Sequence, residues 1–233
     1  MLDHKFWSKH FEKVFIPQLE RTVDVFLGRI LPVLNNIEAE AEQIQEEELT
    51  RLEQSCDPNM FEYEDILNMA LDAAVDHYHS MTDIRQSLIN LYSIAIYHLW
   101  EQQVLTFHRR QVLHPCQENQ LELITRSQFE NMLREEGINV DLLPCWKKIE
   151  ELQCVANTIK HAAGRAANRL HELRSDLFDH PNPIITMAIT RSTTDVYSPL
   201  GGEDVYLTPE DLMEYKKALV NFWRELAGAM ASD

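Results

Sequence analysis

The sequence predicts an all-α fold: an elongated bundle of four to five long helices with a short extended or hairpin insertion before the last helix. Apolar residues recur at every third or fourth position over long stretches, which is typical of amphipathic helices. Only 6 of the 233 residues are glycine, which argues against a turn-rich β fold. Hydrophobic residues make up 45% of the chain, enough to build a core.

We divide this single helical domain into four parts: a kinked helix and acidic arm (1–57), a helical core (58–180), an extended insertion (181–207) and a C-terminal helix (208–233). In the first part, Pro17 and Pro32 interrupt a helical apolar pattern. Because proline removes a helical hydrogen bond, they predict a kinked helix or two abutting helices.

The core contains the clearest element, a central helix from about Met60 to Val112. A 4-3-4-3 alternation predicts which residues face the core, and flanking apolar residues predict burial on more than one side. The predicted row is Leu67, Ala70, Ala74, His77, Met81, Ile84, Leu88, Leu91, Ala95, His98 and Gln102.

Three further helices and an extended insertion follow in the prediction. A short helix ends near Glu136, where Gly137 is a good left-handed stop. A long helix runs from about Leu143 to Phe178, and the β-branched stretch 184–207 follows as the extended insertion or hairpin. Thr208 as N-cap and Pro209 at the first position start the final helix, which reaches about Met230.

Charge is concentrated in one stretch. The formal net charge is −17, which excludes broad, charge-driven binding to nucleic acid but leaves room for a local basic patch. The Glu38–Asp65 stretch holds eleven acidic residues and a single base, Arg51. It reads either as a solvated helix end or as a docking surface for a basic protein partner, with a Mg²⁺ site a weaker alternative.

Targeting and cysteine signals favour a cytoplasmic chain. No apolar run reaches the roughly 18 residues of a membrane span, and the N-terminus lacks a secretory apolar region. The four cysteines form no metal-binding pair, so we expect reduced thiols, no metal and no cofactor.

The residues that could take part in catalysis lie on the predicted long helix from about Leu143 to Phe178. Asn157, His161, Arg165 and Asn168 are spaced to share one face, with Lys160, Arg169 and His171 close by. A cationic stripe carrying an imidazole can hold a phosphate and move a proton, as RNA cleavage by its 2′-hydroxyl requires. A solvated polar face is the alternative.

Two further groups of residues leave alternatives open. Arg109 and Arg110, with His114, either stabilise the C-terminal dipole of the central helix or bind phosphate. His77 and His98 are about 31 Å apart along that helix, so they cannot share one metal ion and are predicted to be hydrogen-bonded core residues.

The segment from Cys154 to Gly164 (CVANTIKHAAG), followed by Leu170 to Phe178, resembles the final-helix region of HEPN-domain proteins. The resemblance implies a homodimeric bacterial toxin or defence effector that cleaves or binds RNA without metal. His161 or His171 would be the acid/base, with Asn157 beside it, Arg165 and Lys160 would hold the phosphate, and Arg169, Arg109 and Arg110 would bind RNA.

The family's catalytic arginine, expected just before Asn157, is replaced by Ala156. The sequence therefore leaves two functions open. One is a metal-independent ribonuclease or RNA-binding effector. The other is a degenerate, non-catalytic interaction subunit or antitoxin that binds a basic partner through the acidic stretch.

Overall fold

The computed structural model describes residues 3–56, 60–117, 120–182 and 195–231 and contains no β-strand within them, so the predicted all-α class is confirmed. None of the helices in these ranges is long and apolar enough to span a membrane. The α-helices are α1 (His4–His10), α2 (Ile16–Val25), α3 (Ile37–Ser55), α4 (Tyr63–Phe107), α5 (Arg126–Glu135), α6 (Trp146–His161), α7 (Arg165–Leu173) and α8 (Pro209–Ala231).

The two N-terminal prolines widen the helix where the sequence predicted a kink or a break. A π turn, Phe11–Phe15, precedes Pro17, and a second π turn, Phe26–Ile30, precedes Pro32. In each π turn a backbone N–H bonds to the carbonyl five residues back, which leaves room for the proline ring that a regular α-turn lacks. The chain stays helical to Leu34 and turns only at Asn35 and Asn36, before α3.

Helix α3 packs against the first half of α4 as a two-helix hairpin with a small apolar interior of its own. Leu52, Ile66 and Ala70 form a cluster separate from the main core. A capping box at the start of α4 fixes where the second helix begins, because Glu62 and Asp65 exchange side-chain to backbone bonds. We call residues 37–55 and 63–84 the acidic hairpin.

The second half of α4 runs through the main core, and here the predicted face is wrong. Leu91, Ala95 and Gln102 from the predicted row are exposed. The buried residues lie on the flanking face instead: Ile89, Asn90, Ser93, Ile96, Tyr97, Trp100, Gln103, Val104 and Phe107.

The predicted long helix from Leu143 to Phe178 is also wrong. Helix α6 ends at His161, and α7 starts at Arg165 and packs back against α6. Ala162 (φ 61°) and Gly164 (φ 154°) provide the turn between them. The short helix α5 does end at Glu135, with Gly137 at φ 84° as predicted.

The final helix α8 agrees with the prediction. Thr208 and Asp211 form a reciprocal cap, with a bond of 3.1 Å from the Asp211 N–H to the Thr208 hydroxyl. Of the predicted insertion, residues 183–194 lie outside the described residues. The remainder, 195–207, is an irregular loop with one 3₁₀ turn, Pro199–Gly201. The inward residues of α8 are buried as predicted: Leu212, Tyr215, Leu219, Phe222, Trp223 and Leu226.

Candidate functional site

Three of the predicted site residues lie at the junction between α6 and α7, whereas Arg109 and Arg110 lie in the π turn that ends α4. Lys160 and His161 end α6, and Arg165 begins α7, so the single helical face predicted for them does not exist. All three side chains are exposed, and none has a hydrogen bond or ion pair with the described residues. The junction is therefore an open, locally cationic turn, which can receive an anion.

The other predicted catalytic residues are set apart by the turn. Asn157 is half-buried on α6. His171 lies near the end of α7, where its ring packs on Phe178 with centroids 5.3 Å apart. Arg169, predicted to bind RNA, forms an exposed 2.8 Å ion pair with Glu172. The structure thus brings Lys160, His161 and Arg165 to one turn but gives His161 no acid or base partner among the described residues.

Ala156 occupies the position of the arginine that the HEPN-like resemblance requires. Its exposed fraction is 1%, and it belongs to the main hydrophobic core. A side chain at this position points into the core and not into solvent. Position 156 therefore cannot present a guanidinium group to solvent in the way the resemblance requires.

The loop 195–207 closes over the junction and over α4. The Ala163 N–H donates to the Val196 carbonyl at 3.1 Å. On the other side, the buried Asn90 amide donates to the carbonyls of Pro199 (2.8 Å) and Val205 (2.9 Å). Asp204, at φ 66°, is the second described non-glycine residue with positive φ. The loop is thus bonded to the turn through the backbone of Ala163 and to α4 through the side chain of Asn90.

The acidic hairpin is the most strongly charged part of the described chain. Its residues include twelve Asp and Glu side chains and one base, Arg51. On α4, Leu71, Val75 and Tyr78 are 46%, 42% and 38% exposed. Their spacing of four and three places them in one row, about 100° around the helix from the residues that face α3. An exposed apolar row with acidic neighbours is typical of a protein-binding surface.

The two histidines of the predicted central row are half-buried and not core residues. His98 Nδ1 is hydrogen-bonded to the Glu101 carboxylate at 3.1 Å. The Glu40 carboxylate is 3.5 Å from His77 Nε2, but this nitrogen forms no hydrogen bond with the described residues. No group of three potential metal ligands occurs among the described residues. Burial raises the pKa of the Cys154 thiol, which makes this half-buried cysteine a poor nucleophile.

A charged network at the end of α7 away from the junction could not be predicted from the sequence. Arg174 pairs with Glu151 (3.0 Å), Asp176 (2.7 Å) and Asp211 (2.9 Å), while the buried Tyr215 hydroxyl donates to Glu151 at 2.8 Å. The partners are up to 64 residues apart, so spacing gave no signal for them. The network joins α6, α8 and the segment after α7.

Comparisons with protein-family models, with characterised proteins and with solved structures gave no match. The HEPN-like resemblance therefore stays a prediction from the residues that carry it.

Proposed function

We propose that this protein is a non-catalytic interaction subunit that binds a basic protein partner through its acidic hairpin. The observation that carries the proposal is the exposed row Leu71, Val75 and Tyr78 on a hairpin with twelve acids and one base. Contacts with this row would remove apolar surface from water and so provide affinity. The acidic residues around it would raise the association rate of a cationic partner and disfavour an anionic one.

The spacing of the row indicates the form of the partner. Leu71, Val75 and Tyr78 follow an i, i+4, i+7 pattern, which matches the apolar face of a second helix laid alongside α4. Asp72 and Asp76 flank the row on the solvent side and are both exposed. We therefore expect an amphipathic helix with Lys or Arg beside its apolar stripe.

Site-specific crosslinking in cells would find this partner. A photoreactive amino acid replaces Val75 in one variant and Leu173, an equally exposed apolar residue on α7, in a control variant. We expect a discrete covalent adduct from position 75 only. An adduct of equal yield at position 173, or a partner without a basic helix, would contradict the proposal.

Binding is then measured with the purified partner. Leu71→Ser is expected to raise Kd at least tenfold, because the most exposed apolar side chain of the row is lost. Asp72→Asn combined with Asp76→Asn is expected to weaken the dependence of Kd on salt. Leu173→Ser is the matched control and should leave Kd unchanged.

A second candidate function is metal-independent RNA cleavage at the α6–α7 junction by a homodimer, as the HEPN-like resemblance implies. It is favoured by the exposed side chains of Lys160, His161 and Arg165, which meet at one turn. It ranks second because the buried Ala156 stands where the resemblance requires an arginine.

An RNA cleavage assay with EDTA present separates the two functions. Cleavage that leaves 2′,3′-cyclic phosphate ends and is lost in His161→Ala, His171→Ala or Arg165→Ala would establish the second candidate. His79→Ala is the control, since His79 is an exposed histidine of α4. Absence of cleavage, or equal cleavage by all variants, rejects it.

A further inference from the structure

The end of the molecule opposite the acidic hairpin is built from α1, the first π turn and the end of α4. The Trp7 indole N–H donates to the Gln111 side chain at 2.7 Å, and its ring packs on Phe107 with centroids 4.9 Å apart. This contact fixes the N-terminal helix beside the π turn His108–Val112 that ends α4. Side chains from two distant parts of the chain thus form one surface.

This surface is basic, although the protein as a whole is acidic. Residues 3–13 and 102–114 contain five Lys and Arg side chains and two acids. Asp3 caps α1 by accepting from the Phe6 N–H, and Glu12 is 3.4 Å from Arg224. All five cations are exposed, and none has a hydrogen bond or ion pair with the described residues. They are Lys5, Lys9, Lys13, Arg109 and Arg110, and we call this surface the basic end.

A cleft of about 390 Å³ lies within the basic end. The end of α4 and the π turn that follows it line this cleft together with Ile124. The lining residues are Gln102, Leu105, Thr106, Arg109, Arg110 and Ile124. Two guanidinium groups beside apolar side chains can hold a phosphate while a flat ring rests on Leu105 and Ile124.

Aromatic rings stand next to these cations. Phe6 is 56% exposed, and its ring stacks on His10 with centroids 5.7 Å apart and planes 18° apart. The Trp7 ring is 5.3 Å from the Phe6 ring and 5.2 Å from the His10 ring, and its indole N–H bonds to Gln111, the residue after Arg110. Exposed rings interleaved with cations are the elements that hold successive bases and phosphates of a single strand.

We propose that the basic end binds single-stranded nucleic acid, with Arg109 and Arg110 on phosphates and Phe6 stacked on a base. Helix α4 separates this surface from the hairpin. Asp76 and Arg109 are 33 residues apart along continuous helix, about 50 Å. The protein would therefore hold a basic protein at one end and a nucleic-acid strand at the other.

Fluorescence anisotropy with labelled 12-nucleotide oligo(U) and oligo(dT) tests the proposal on the full chain. We expect binding that weakens with salt. Arg109→Ala with Arg110→Ala should raise Kd at least tenfold and reduce the salt slope by about 1.4, which is two phosphate contacts at about 0.7 each. Phe6→Ala should raise Kd about fivefold or more through lost stacking.

Two control variants isolate the basic end. Arg134→Ala with Lys147→Ala removes two cations from other helices and should leave Kd unchanged. Lys160→Ala with Arg165→Ala removes the junction cations. If this double variant lost oligonucleotide binding and Arg109→Ala with Arg110→Ala did not, the strand would bind at the α6–α7 junction, which would overturn the proposal. Thermal unfolding by circular dichroism checks that each variant folds.

Other ligands give distinguishable results. Inorganic polyphosphate competes for the cations but has no rings, so Phe6→Ala should leave its affinity unchanged. Polyphosphate binding without oligonucleotide binding would overturn the proposal. A second copy of this chain could instead place its acidic hairpin on the basic end. Sedimentation would then detect oligomers that dissociate with salt and are absent in Arg109→Ala with Arg110→Ala. Such oligomers, if the protein bound no oligonucleotide, would identify a second copy as the ligand and would also overturn the proposal.

Discussion

Trp223 donates a hydrogen bond of 2.9 Å from its indole Nε1 to Oε1 of Gln103, and both side chains are buried. The amide group of Gln103 in turn donates to the Phe15 carbonyl and to Oε1 of Gln18, each at 3.1 Å. One buried amide thus ties α4 to α8 and to the widened N-terminal helix.

Gln103→Leu should destabilise the protein by about 2–4 kcal/mol. The substitution leaves the Trp223 N–H and the acceptors on the N-terminal helix without this partner, and unpaired buried polar groups are costly. Urea unfolding measures the change. Gln102→Leu, at the neighbouring exposed position, is the control and should shift stability by no more than about 0.5 kcal/mol.

The sequence predicted elements correctly where local signals and packing agree. At α8, the Thr208 cap and the apolar spacing indicate the same helix, and the structure has it. On α4 the heptad pattern was extended too far. Ala70 and Trp100 are 30 residues apart, so they lie about 120° apart around a regular helix. Ala70 belongs to the hairpin cluster and Trp100 to the main core, so the two halves of α4 bury different faces against different partners.

The break between α6 and α7 depends on a contact that local sequence does not report. The Ala-rich segment around Ala163 favours helix by propensity. In the structure, the Ala163 N–H bonds to Val196, 33 residues further along the chain. The charged network has the same origin, since Arg174 and Asp211 meet only after folding. Such long-range partners decided the parts of the candidate site that the sequence could not predict.

Arg174→Met should cost about 2–4 kcal/mol, because the buried Asp211 loses its guanidinium partner. The half-buried Glu151 keeps Lys148 and Tyr215 as partners. Chemical denaturation at neutral pH measures the loss. Arg169→Met removes an equally short but exposed ion pair with Glu172 and should leave the free energy of unfolding nearly unchanged. Equal losses in the two variants would mean that the network contributes nothing beyond a surface pair.

The same network should make stability sensitive to acid. The hydrogen bond from Arg174 lowers the pKa of Asp176 below its ordinary value near 3.8. A lowered carboxyl pKa contributes stability above the unfolded pKa, and this stability is lost as pH falls through the folded pKa. We expect the free energy of unfolding to drop below about pH 4 and this drop to be smaller in Arg174→Met.

His108 should weaken the fold at mildly acidic pH. It is buried, its Nε2–H donates to the Leu123 carbonyl at 2.8 Å, and its Nδ1 has no hydrogen-bond partner in the described parts of the chain. Burial lowers its pKa below 6.5. Because the unfolded chain then binds the proton more readily, stability is full above about pH 6.5 and falls as pH drops toward the folded pKa.

The pH dependence of unfolding between pH 8 and pH 5 tests this assignment. His108→Gln keeps an amide that can donate to Leu123 but cannot take a proton, so its stability should change less across this range. His79→Gln replaces an exposed histidine and should retain the wild-type profile. If His108→Gln also retained it, His108 would not be the group that titrates.

Two glycines should respond in opposite directions to alanine. Gly202 has φ 95°, and a Cβ there would lie 2.1 Å from the Asp83 carbonyl oxygen, so Gly202→Ala must push loop 195–207 off α4. We expect a loss of at least about 2 kcal/mol. Gly228 lies inside α8, where an added methyl group would meet no described neighbour within 4 Å, so Gly228→Ala should gain about 0.5–1 kcal/mol. Thermal unfolding measures both.

Ala162 is under backbone strain that glycine would relieve. Its φ of 61° and ψ of −139° lie in a region that residues with a Cβ rarely adopt, at a cost of about 1–3 kcal/mol. Against this relief, glycine gives the unfolded chain more conformational entropy, which lowers stability by about 0.4–1 kcal/mol. Ala162→Gly should therefore stabilise the protein by about 1 kcal/mol, as measured by urea unfolding.

The neighbouring alanine provides the matched control for that strain. Ala163 has no positive φ, so Ala163→Gly carries the entropy cost without any relief and should destabilise by about 0.4–1 kcal/mol. Opposite signs for the two variants would place strain specifically at the end of α6, beside Lys160 and His161. If both variants lost stability equally, the turn would be unstrained, and its shape would follow from the Val196 contact alone.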